Sequence, residues 1–475
     1  MKKFTTQNIL ILISVLAIIL FLVLKISLIF SPFIDFDESG LGLMAKAILD
    51  GKIPYHDFFD HKPPFAYYSL AIFFKLFGIS SQNILVMAFI FDIALILSIF
   101  FLIRKLYDSK TALIAAAICS ILISTSHFNT DIPMALFGVL GISCYLFSFK
   151  QNKNLFLFLS GVFIAISLWF KQPGIMFFFA IVVHQLYLYY KKDISFKDSL
   201  KSSSIVLLGL LGISLPLFAY FMIKTSGGFF YDIIIFNVLF KGSTSRLFTM
   251  GKLLELIFLN FGYLLAIILF SFPELKAKDE KTSFYLISSI LIFLFFAANK
   301  EIFSAHLNLA LPIVILLVSS SLFHVEKLRK PIMIIIIIFI LSLSLLSLES
   351  AARTRLSGIS NKQVQISSYL TSIPENATIF SDSPEYYFLG NKKVLYKVPG
   401  LAPSYKSVFD FSDFCDFANK TDFLIFTHRI AYLPESQRAC INQSFTLIKR
   451  FDNVAESYVE IYAKNPVKNN STKSP

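Results

Sequence analysis

Eleven apolar runs, each close to the length that a helix needs to cross a bilayer, dominate this chain. The hydrocarbon core of a bilayer is about 30 Å thick, which a helix of about 20 apolar residues spans. Backbone polar groups find no partners in lipid, so each run is expected to be a helix. The sequence therefore predicts an all-α polytopic membrane protein with about 11 transmembrane helices. The runs lie near 8–30, 84–103, 111–127, 131–149, 155–170, 174–190, 203–223, 252–271, 283–298, 308–323 and 331–348.

The composition supports this class and limits the partners. Of the 475 residues, 56% are apolar and 15% are charged, whereas an ordinary soluble domain has about 25% charged residues. This excludes a disordered chain and an ordinary soluble enzyme. The net charge of +13 would suit nucleic acid, but the basic residues cluster in short loops between the apolar runs, where they set topology. We therefore predict the lipid bilayer, and no nucleic acid, as a partner.

The distribution of basic residues predicts the orientation. Basic residues in short segments mark the cytoplasmic side of a membrane protein. They occupy the N-terminus and then every second loop: Lys2–Lys3, Arg104–Lys105–Lys110, Lys150–Lys153, Lys191–Lys192–Lys197–Lys201, Lys276–Lys278–Lys281 and Lys327–Arg329–Lys330. The N-terminus is therefore expected in the cytoplasm. Eleven crossings then place residues 349–475 outside the cytoplasm.

Two regions on the predicted outer side are long: 31–83 and the C-terminal tail. The tail alternates short β-rich runs with polar, helical stretches, which is typical of a small α/β domain. The chain thus divides into a membrane domain, 1–348, and a small extracytoplasmic domain, 349–475. Cys415 and Cys440 lie in this tail and could pair outside the cytoplasm, but the sequence leaves their pairing open.

The first outer loop collects acids and bases on defined turns. Asp37 and Glu38 directly follow the first run, and an interfacial helix is expected over 39–49. Pro63 favours extended backbone before it, which presents His61 and Lys62 near these acids. Pro64 can start a second interfacial helix over 65–78. Long loops with their own structure are usually functional, so this loop is predicted to carry the chemistry.

Seven short motifs follow one another along the chain. They are Asp37–Glu38, Gly51–Asp57, His61–Pro64, Leu76–Gly78, Asp131 within Asn129–Pro133, Phe170–Gly174 and His306–Pro312. In this order and spacing, over about 1–350, the chain resembles the GT-C type membrane glycosyltransferases, in the broad family of the protein O-mannosyltransferases and the lipid A aminoarabinose transferases.

The resemblance implies an inverting transfer of a sugar from a polyprenyl-phosphate donor to a hydroxyl acceptor on a protein, a glycolipid or a cell-envelope glycan. A positioned carboxylate can serve as the general base for the acceptor hydroxyl. Asp37 is the first candidate and Glu38 the alternate. Asp131 is expected as a second acid that holds the sugar or the acceptor.

The departing lipid phosphate needs cations or hydrogen-bond donors in a low-dielectric site. The outer-side candidates are Lys62, Lys171, Arg246, Lys300, His61 and His306. Lysines at span ends can instead anchor the helix at the interface, and this alternative stays open for Lys171 and Lys300. Carboxylates near histidine can bind a divalent ion. Because basic side chains suffice for a phosphate leaving group, we predict no required metal or other cofactor.

Two other functions are less consistent with the sequence than a transferase. A transporter or flippase of lipid-linked sugars should show internal repeats and polar residues near the bilayer midplane, and the sequence shows no repeat. A structural protein whose tail binds a partner would not need the acid and Lys62–Pro63–Pro64 loop. Asp92 lies inside a span, where a charge is costly, and we expect it to be structurally paired.

Overall fold

The computed structural model describes residues 6–30, 34–123, 130–150, 152–240, 246–271, 280–299, 304–324, 359–392, 400–401, 411–454 and 457–465, with single residues between 334 and 346. Helices make up the membrane part. In chain order they are α1 (Thr6–Ile29), α2 (Phe36–Leu49), α3 (Phe65–Phe77), α4 (Ser81–Leu106), α5 (Ser109–Ile123), α6 (Asp131–Phe147), α7 (Lys153–Phe170), α8 (Met176–Tyr190), α9 (Phe196–Lys224), α10 (Gly228–Phe230), α11 (Arg246–Ser271), α12 (Glu280–Ala298) and α13 (Leu311–His324). Short 3₁₀ turns cover Gln172–Ile175 and Ser304–Leu309, and a π-helix covers Tyr231–Phe240.

The predicted spans coincide with these helices. Within the described residues, six helices are long and apolar enough to cross a membrane, among them α1, α4 and α9. The helices α5, α6 and α13 have 15, 17 and 14 described residues, fewer than the 20 or so that a bilayer needs. The last predicted run, 331–348, lies almost entirely outside the described residues. A multi-pass membrane protein is thus confirmed, and the count of eleven stays a prediction.

A buried ion pair joins the first two long helices. Lys25 Nζ on α1 lies 2.8 Å from Asp92 Oδ2 on α4, and their side chains are 6% and 3% exposed. Charges inside a span usually face a partner because hydrocarbon cannot solvate them. The predicted structural pairing of Asp92 is therefore what the structure shows.

The first loop begins its helix earlier than expected. The Asp35 carboxylate accepts a hydrogen bond from the Glu38 backbone N–H at 2.8 Å, and the Glu38 carboxylate accepts one from the Asp35 N–H at 3.2 Å. This reciprocal capping box starts α2 at Phe36 rather than at residue 39. Gly51 follows the end of α2 with φ +83°, and Gly78 ends α3 with φ +91°, conformations that glycine adopts without strain.

The C-terminal α/β unit, 359–465, contains helices and a four-stranded sheet. The helices are α14 (Ile359–Ser372), α15 (Pro384–Leu389), α16 (Phe414–Ala418) and α17 (Glu435–Ser444), and the strands are β1 (Ile379–Ser381), β2 (Phe423–Phe426), β3 (Phe445–Val454) and β4 (Ser457–Lys464). The strand order is β1-β2-β4-β3, with β1 parallel to β2 and the other pairs antiparallel. The strands β1, β2 and β4 match the β-rich runs of the tail sequence, which are Ala377–Phe380, Phe423–Phe426 and Tyr458–Tyr462. The strand β3 was missed because its register shifts between Leu447 and Lys449, which breaks the alternation of buried and exposed residues.

This unit shares an apolar core with the membrane part. Phe59 of the first loop and Phe236 of the π-helix are buried in one cluster with Phe380, Leu401 and Phe426 of the unit. A disulfide between Cys415 and Cys440 joins α16 to α17. The two cysteines, whose pairing the sequence left open, are thus paired. The shared core holds the unit against the loop that was predicted to carry the chemistry.

Candidate active site

The first centre of the site is an ion pair in the first loop. Lys62 Nζ lies 3.1 Å from Asp37 Oδ1, and Asp37 is 59% exposed. The Lys62 carbonyl accepts hydrogen bonds from the hydroxyls of Tyr55 and Tyr67, at 2.7 and 3.2 Å. The Lys62 N–H donates to Asp60 Oδ1 at 3.0 Å. These bonds fix the backbone of the Lys62 turn, so that its ammonium stays beside an accessible carboxylate.

A second ion pair lies at the ends of α6 and α7. Lys171 Nζ is 2.5 Å from Asp131 Oδ2, and the Asp131 side chain is 3% exposed. Asp131 is the first residue of α6, where a negative charge suits the helix dipole. Lys171 has extended backbone between α7 and the 3₁₀ turn that contains Pro173. The sequence singled out both residues but did not predict that they pair.

A cavity of about 420 Å³ surrounds the second pair. Its polar lining comes from five parts of the chain: Asp131, Lys171, Gln172, Asn237, Asn299 and His306. These residues lie at the start of α6, the end of α7, the π-helix, the end of α12 and the turn before α13. Consecutive helices that alternate in direction bring these ends to one side. The structure thus gathers three predicted residues, Asp131, Lys171 and His306, around one cavity.

The His61 backbone connects the two centres. Its carbonyl accepts hydrogen bonds from Gln172 Nε2 at 3.0 Å and from Asn237 Nδ2 at 2.9 Å. Its ring lies 5.6 Å from the ring of Phe236, measured between centroids. Because Gln172 and Asn237 also line the cavity, these two amides hold the Lys62 turn at the cavity edge. The sequence analysis missed both residues, although Gln172 belongs to the Phe170–Gly174 motif.

Of three other predicted site residues, Glu38, Arg246 and Lys300, only Glu38 has a side chain that the structure describes. Glu38 is fully buried, and its carboxylate caps the start of α2. The D-x-x-E spacing of Asp35 and Glu38 could have shown this role beforehand. Arg246 is the first residue of α11, but its side chain is outside the described part. Lys300 also lies outside the described residues.

An apolar groove of about 400 Å³ adjoins the cavity. It is formed by α11, α12 and α13, with Phe261, Ser289 and Val314 among its lining residues. Phe296 lines both the groove and the cavity. A molecule with a polar head and a long apolar tail can therefore be in contact with both spaces.

Two buried acids stand behind the first loop. Asp60 and Asp232 are 6% and 7% exposed. Burial, reinforced by the charge of Asp60, raises the pKa of Asp232 to about 8, so Asp232 is largely protonated at neutral pH. Burial and the same two acids also raise the pKa of Tyr55. The sequence did not single out this pair, because the two acids meet only after folding.

The pH dependence of stability should reveal the proton on Asp232. In an unfolded chain its pKa is about 3.9, so between about pH 4 and 8 the folded state holds a proton that the unfolded state has lost. Stability therefore falls as the pH rises through this window. Asp232→Asn should flatten the fall in melting temperature between pH 5 and 8, because it removes a loss of stability of about 1.4 kcal/mol per pH unit. Asp50→Asn, an exposed control, should leave the wild-type profile, and an unchanged Asp232→Asn profile would contradict the assignment.

The C-terminal unit contributes three charged side chains that the sequence analysis did not select as site residues: Asp382, Glu385 and Arg429. Asp382 is fully buried, and Glu385 and Arg429 are half-buried. The guanidinium carbon of Arg429 lies 3.8 Å from the centroid of the Phe36 ring, which places it beside the first turn of α2. No local pattern marks these residues, because the groups they face lie in a distant part of the chain.

Known proteins resemble this chain in part of its sequence and in its fold. A family model described as dolichyl-phosphate-mannose-protein mannosyltransferase matches residues 61–220. No curated protein matches the chain. Among solved structures, the apo crystal structure of ArnT from Cupriavidus metallidurans superposes with a TM-score of 0.70 at 13% identity, covering 94% of this chain and 97% of ArnT.

This chain therefore has the fold of ArnT, and its residues 61–220 resemble the mannosyltransferase family. ArnT bound to undecaprenyl phosphate is also similar, with a TM-score of 0.69 at 13% identity over 94% of this chain and 97% of ArnT. The archaeal oligosaccharyltransferase AglB from Archaeoglobus fulgidus, in complex with an inhibitory peptide and a dolichol-phosphate, has a TM-score of 0.53 at 14% identity, with 96% of this chain and 74% of AglB covered. The GT-C resemblance seen in the motifs is thereby confirmed.

In the described part of the chain, no group of three or more His, Cys, Asp and Glu side chains is arranged to hold an ion. That no metal is required stays a prediction.

Proposed function

We propose that this glycosyltransferase moves a sugar from a polyprenyl-phosphate donor to a hydroxyl acceptor, with inversion at the anomeric carbon. One observation carries the proposal. The cavity around Asp131, Lys171 and His306 adjoins an apolar groove on one side, and the accessible Asp37–Lys62 pair is tied to its edge through His61.

The cavity and groove suit the two ends of the donor. Lys171, Asn299 and His306 offer hydrogen-bond donors for a phosphate, and the groove between α11, α12 and α13 suits a prenyl chain. ArnT with undecaprenyl phosphate and AglB with a dolichol-phosphate share the fold of this chain. This likeness supports a lipid phosphate as the ligand.

Asp37 then acts as general base. It takes the proton of the acceptor hydroxyl while the acceptor oxygen bonds to the anomeric carbon. The bond from that carbon to the phosphate oxygen breaks on the opposite face, which inverts the configuration. Lys62 and Lys171 stabilise the negative charge on the departing polyprenyl phosphate. Asp131 orients Lys171 and is available to hold a sugar hydroxyl.

A flippase for lipid-linked sugars is less consistent with the site. Its polar residues should lie near the bilayer midplane. In the described residues, the cavity is lined by helix ends and connecting turns, and the Lys25–Asp92 pair inside the spans is buried.

Blocking the groove tests the proposed donor. Ser289→Phe places a bulky ring in the groove lining and should weaken binding of polyprenyl phosphate to the protein in nanodiscs by about tenfold, or about 1.4 kcal/mol. Transfer from a panel of radiolabelled polyprenyl-phosphate sugars should fall in parallel. Leu215→Phe, at an exposed position on α9, is the matched control. Equal binding in both variants would reject the groove, and donor sugar moved across the bilayer without consumption would favour the flippase.

We also propose that the site faces the extracytoplasmic side, as the basic loops indicate. The Cys415–Cys440 disulfide supports this, since disulfides persist in oxidising compartments. With Cys119 and Cys144 buried, Asp50→Cys should react with a membrane-impermeant maleimide on intact cells. Lys105→Cys, also exposed, should react only after lysis. The opposite pattern would reverse the orientation.

A further inference from the structure

The C-terminal unit contacts α2 along its whole length. At the start, the Gln363 side chain accepts a hydrogen bond from the Ile34 N–H at 3.2 Å and donates one to the Ile34 carbonyl at 3.0 Å. In the middle, Gly42 faces Phe388 so closely that an added Cβ would lie 2.7 Å from the ring. At the end, Lys46 Nζ donates to Asn391 Oδ1 at 2.6 Å. The unit is therefore seated on the helix that carries Asp37.

Arg429 occupies the part of this interface nearest the reacting groups. Its guanidinium stacks on Phe36, the residue before Asp37, at 3.8 Å from the ring centroid. Its Nη1 donates to the Leu401 carbonyl at 3.2 Å, and its backbone N–H donates to Thr427 Oγ1 at 3.1 Å. The stack and the hydrogen bonds already hold the planar guanidinium in one place. It can therefore fix the position of the Phe36 ring.

Buried acids surround this guanidinium. Asp382 accepts hydrogen bonds from the Thr427 N–H and hydroxyl, at 2.8 and 3.2 Å, yet burial raises its pKa to about 7. Burial also raises the pKa of Glu385, and the charge of Asp37 raises it further. The positive charge of Arg429 opposes these shifts at both acids. The charged or titratable groups that face this cluster are Asp37 and its partner Lys62, Asp382, Glu385, Tyr386 and His428.

We propose that Arg429 is a positioning residue for the transfer reaction: through Phe36 it holds the first turn of α2, and its charge offsets the nearby carboxylates of Asp382 and Glu385 in the C-terminal unit. The unit thereby becomes part of the active site. The catalytic consequence rests on the proposed function, whereas the electrostatic coupling to position 37 does not depend on it.

The coupling can be measured without any substrate. In Asp37→Cys, the new thiol lies at an exposed position, Cys119 and Cys144 are buried, and the other two cysteines are bonded to each other. The rate of maleimide labelling against pH then gives the pKa of this thiol. Adding Arg429→Gln should raise that pKa by about one unit, since a nearby cation has been lost. Adding Arg450→Gln is the matched control, because Arg450 pairs with Asp452 and Glu460 on the β3–β4 hairpin. Equal pKa values in the two double variants would overturn the proposal.

Transfer kinetics test the positioning role. Arg429→Gln should lower kcat by about 10- to 100-fold through misplacement of the base, leave the donor KM unchanged, and move the acidic limb of the pH–rate profile to higher pH. Arg429→Lys, which restores the charge without the planar stack, should recover the profile but only part of kcat. Two results would instead mean a purely structural role. One is a lower kcat in Arg429→Gln without a shifted pH–rate profile. The other is a profile that Arg429→Lys does not recover, although this variant melts in the same range as the unmodified protein. If the unmodified protein transfers no sugar, the proposed function fails, and the thiol measurement still decides the coupling.

Discussion

Asp37→Asn is expected to reduce sugar transfer by about 10²- to 10⁴-fold, the usual contribution of a positioned general base. An amide of the same shape cannot take the acceptor proton. Polyprenyl phosphate should still bind within a few-fold of the wild-type affinity, because the cavity residues are unchanged. Folding should be nearly unaffected, since the exposed pair with Lys62 contributes only about 0.2–1 kcal/mol.

Glu38→Gln provides a sharp control for this experiment. Glutamine can replace glutamate in a capping box, so a residue that only caps α2 should tolerate the change with nearly full activity and an unchanged melting temperature. If Glu38 were the base, the same substitution would abolish transfer. An active Asp37→Asn enzyme combined with an inactive Glu38→Gln enzyme would exchange the two roles.

Lys171→Met is expected to cause the largest combined loss. It leaves the Asp131 carboxylate, which is 3% exposed, buried without this cation, and breaking a buried pair costs about 3–5 kcal/mol. The same change removes a cation from the proposed phosphate site, so the affinity for polyprenyl phosphate should fall at least about tenfold. Thermal melting and lipid-phosphate titration of the purified protein measure the two effects.

The double variant Asp131→Asn with Lys171→Met separates stability from binding. It removes both charges, so much of the lost stability should return, whereas the affinity for polyprenyl phosphate should not. The Lys25–Asp92 pair is a matched control because its carboxylate is as buried as that of Asp131, at 3% exposed, but the pair lies inside the spans. Lys25→Met should lower the melting temperature and leave lipid-phosphate affinity intact. Equal affinity losses in Lys171→Met and Lys25→Met would show that binding merely follows stability.

Several parts of the site could be predicted because local chemistry specifies them. Pro64 and Gly78 bound α3 as expected, and Gly51 follows α2 in the left-handed conformation. Asp131, Lys171 and His306 were selected by motif and do line one cavity. The position of α2 was predicted less well, since the capping box of Asp35 and Glu38 was not considered.

Other parts could not be predicted, because they depend on which surfaces meet. Gln172 and Asn237 are ordinary amides until both donate to the His61 carbonyl. Asp382 and Arg429 resemble surface charges until the C-terminal unit packs on Phe36. Their importance comes from partners far away in the chain, which no window of sequence contains.

The amino-acid sequence by itself determined that this protein is a bundle of membrane helices with a folded first loop. In lipid each backbone group must be satisfied within its own helix, so length and apolarity specify every span locally. Only the tertiary structure decided which partner each of three cations meets. Lys171 pairs with Asp131, Lys62 pairs with Asp37, and Arg429 stacks on the ring of Phe36. Charge pairing acts over a few ångströms, and such distances between remote residues exist only once the helices and the C-terminal unit have packed.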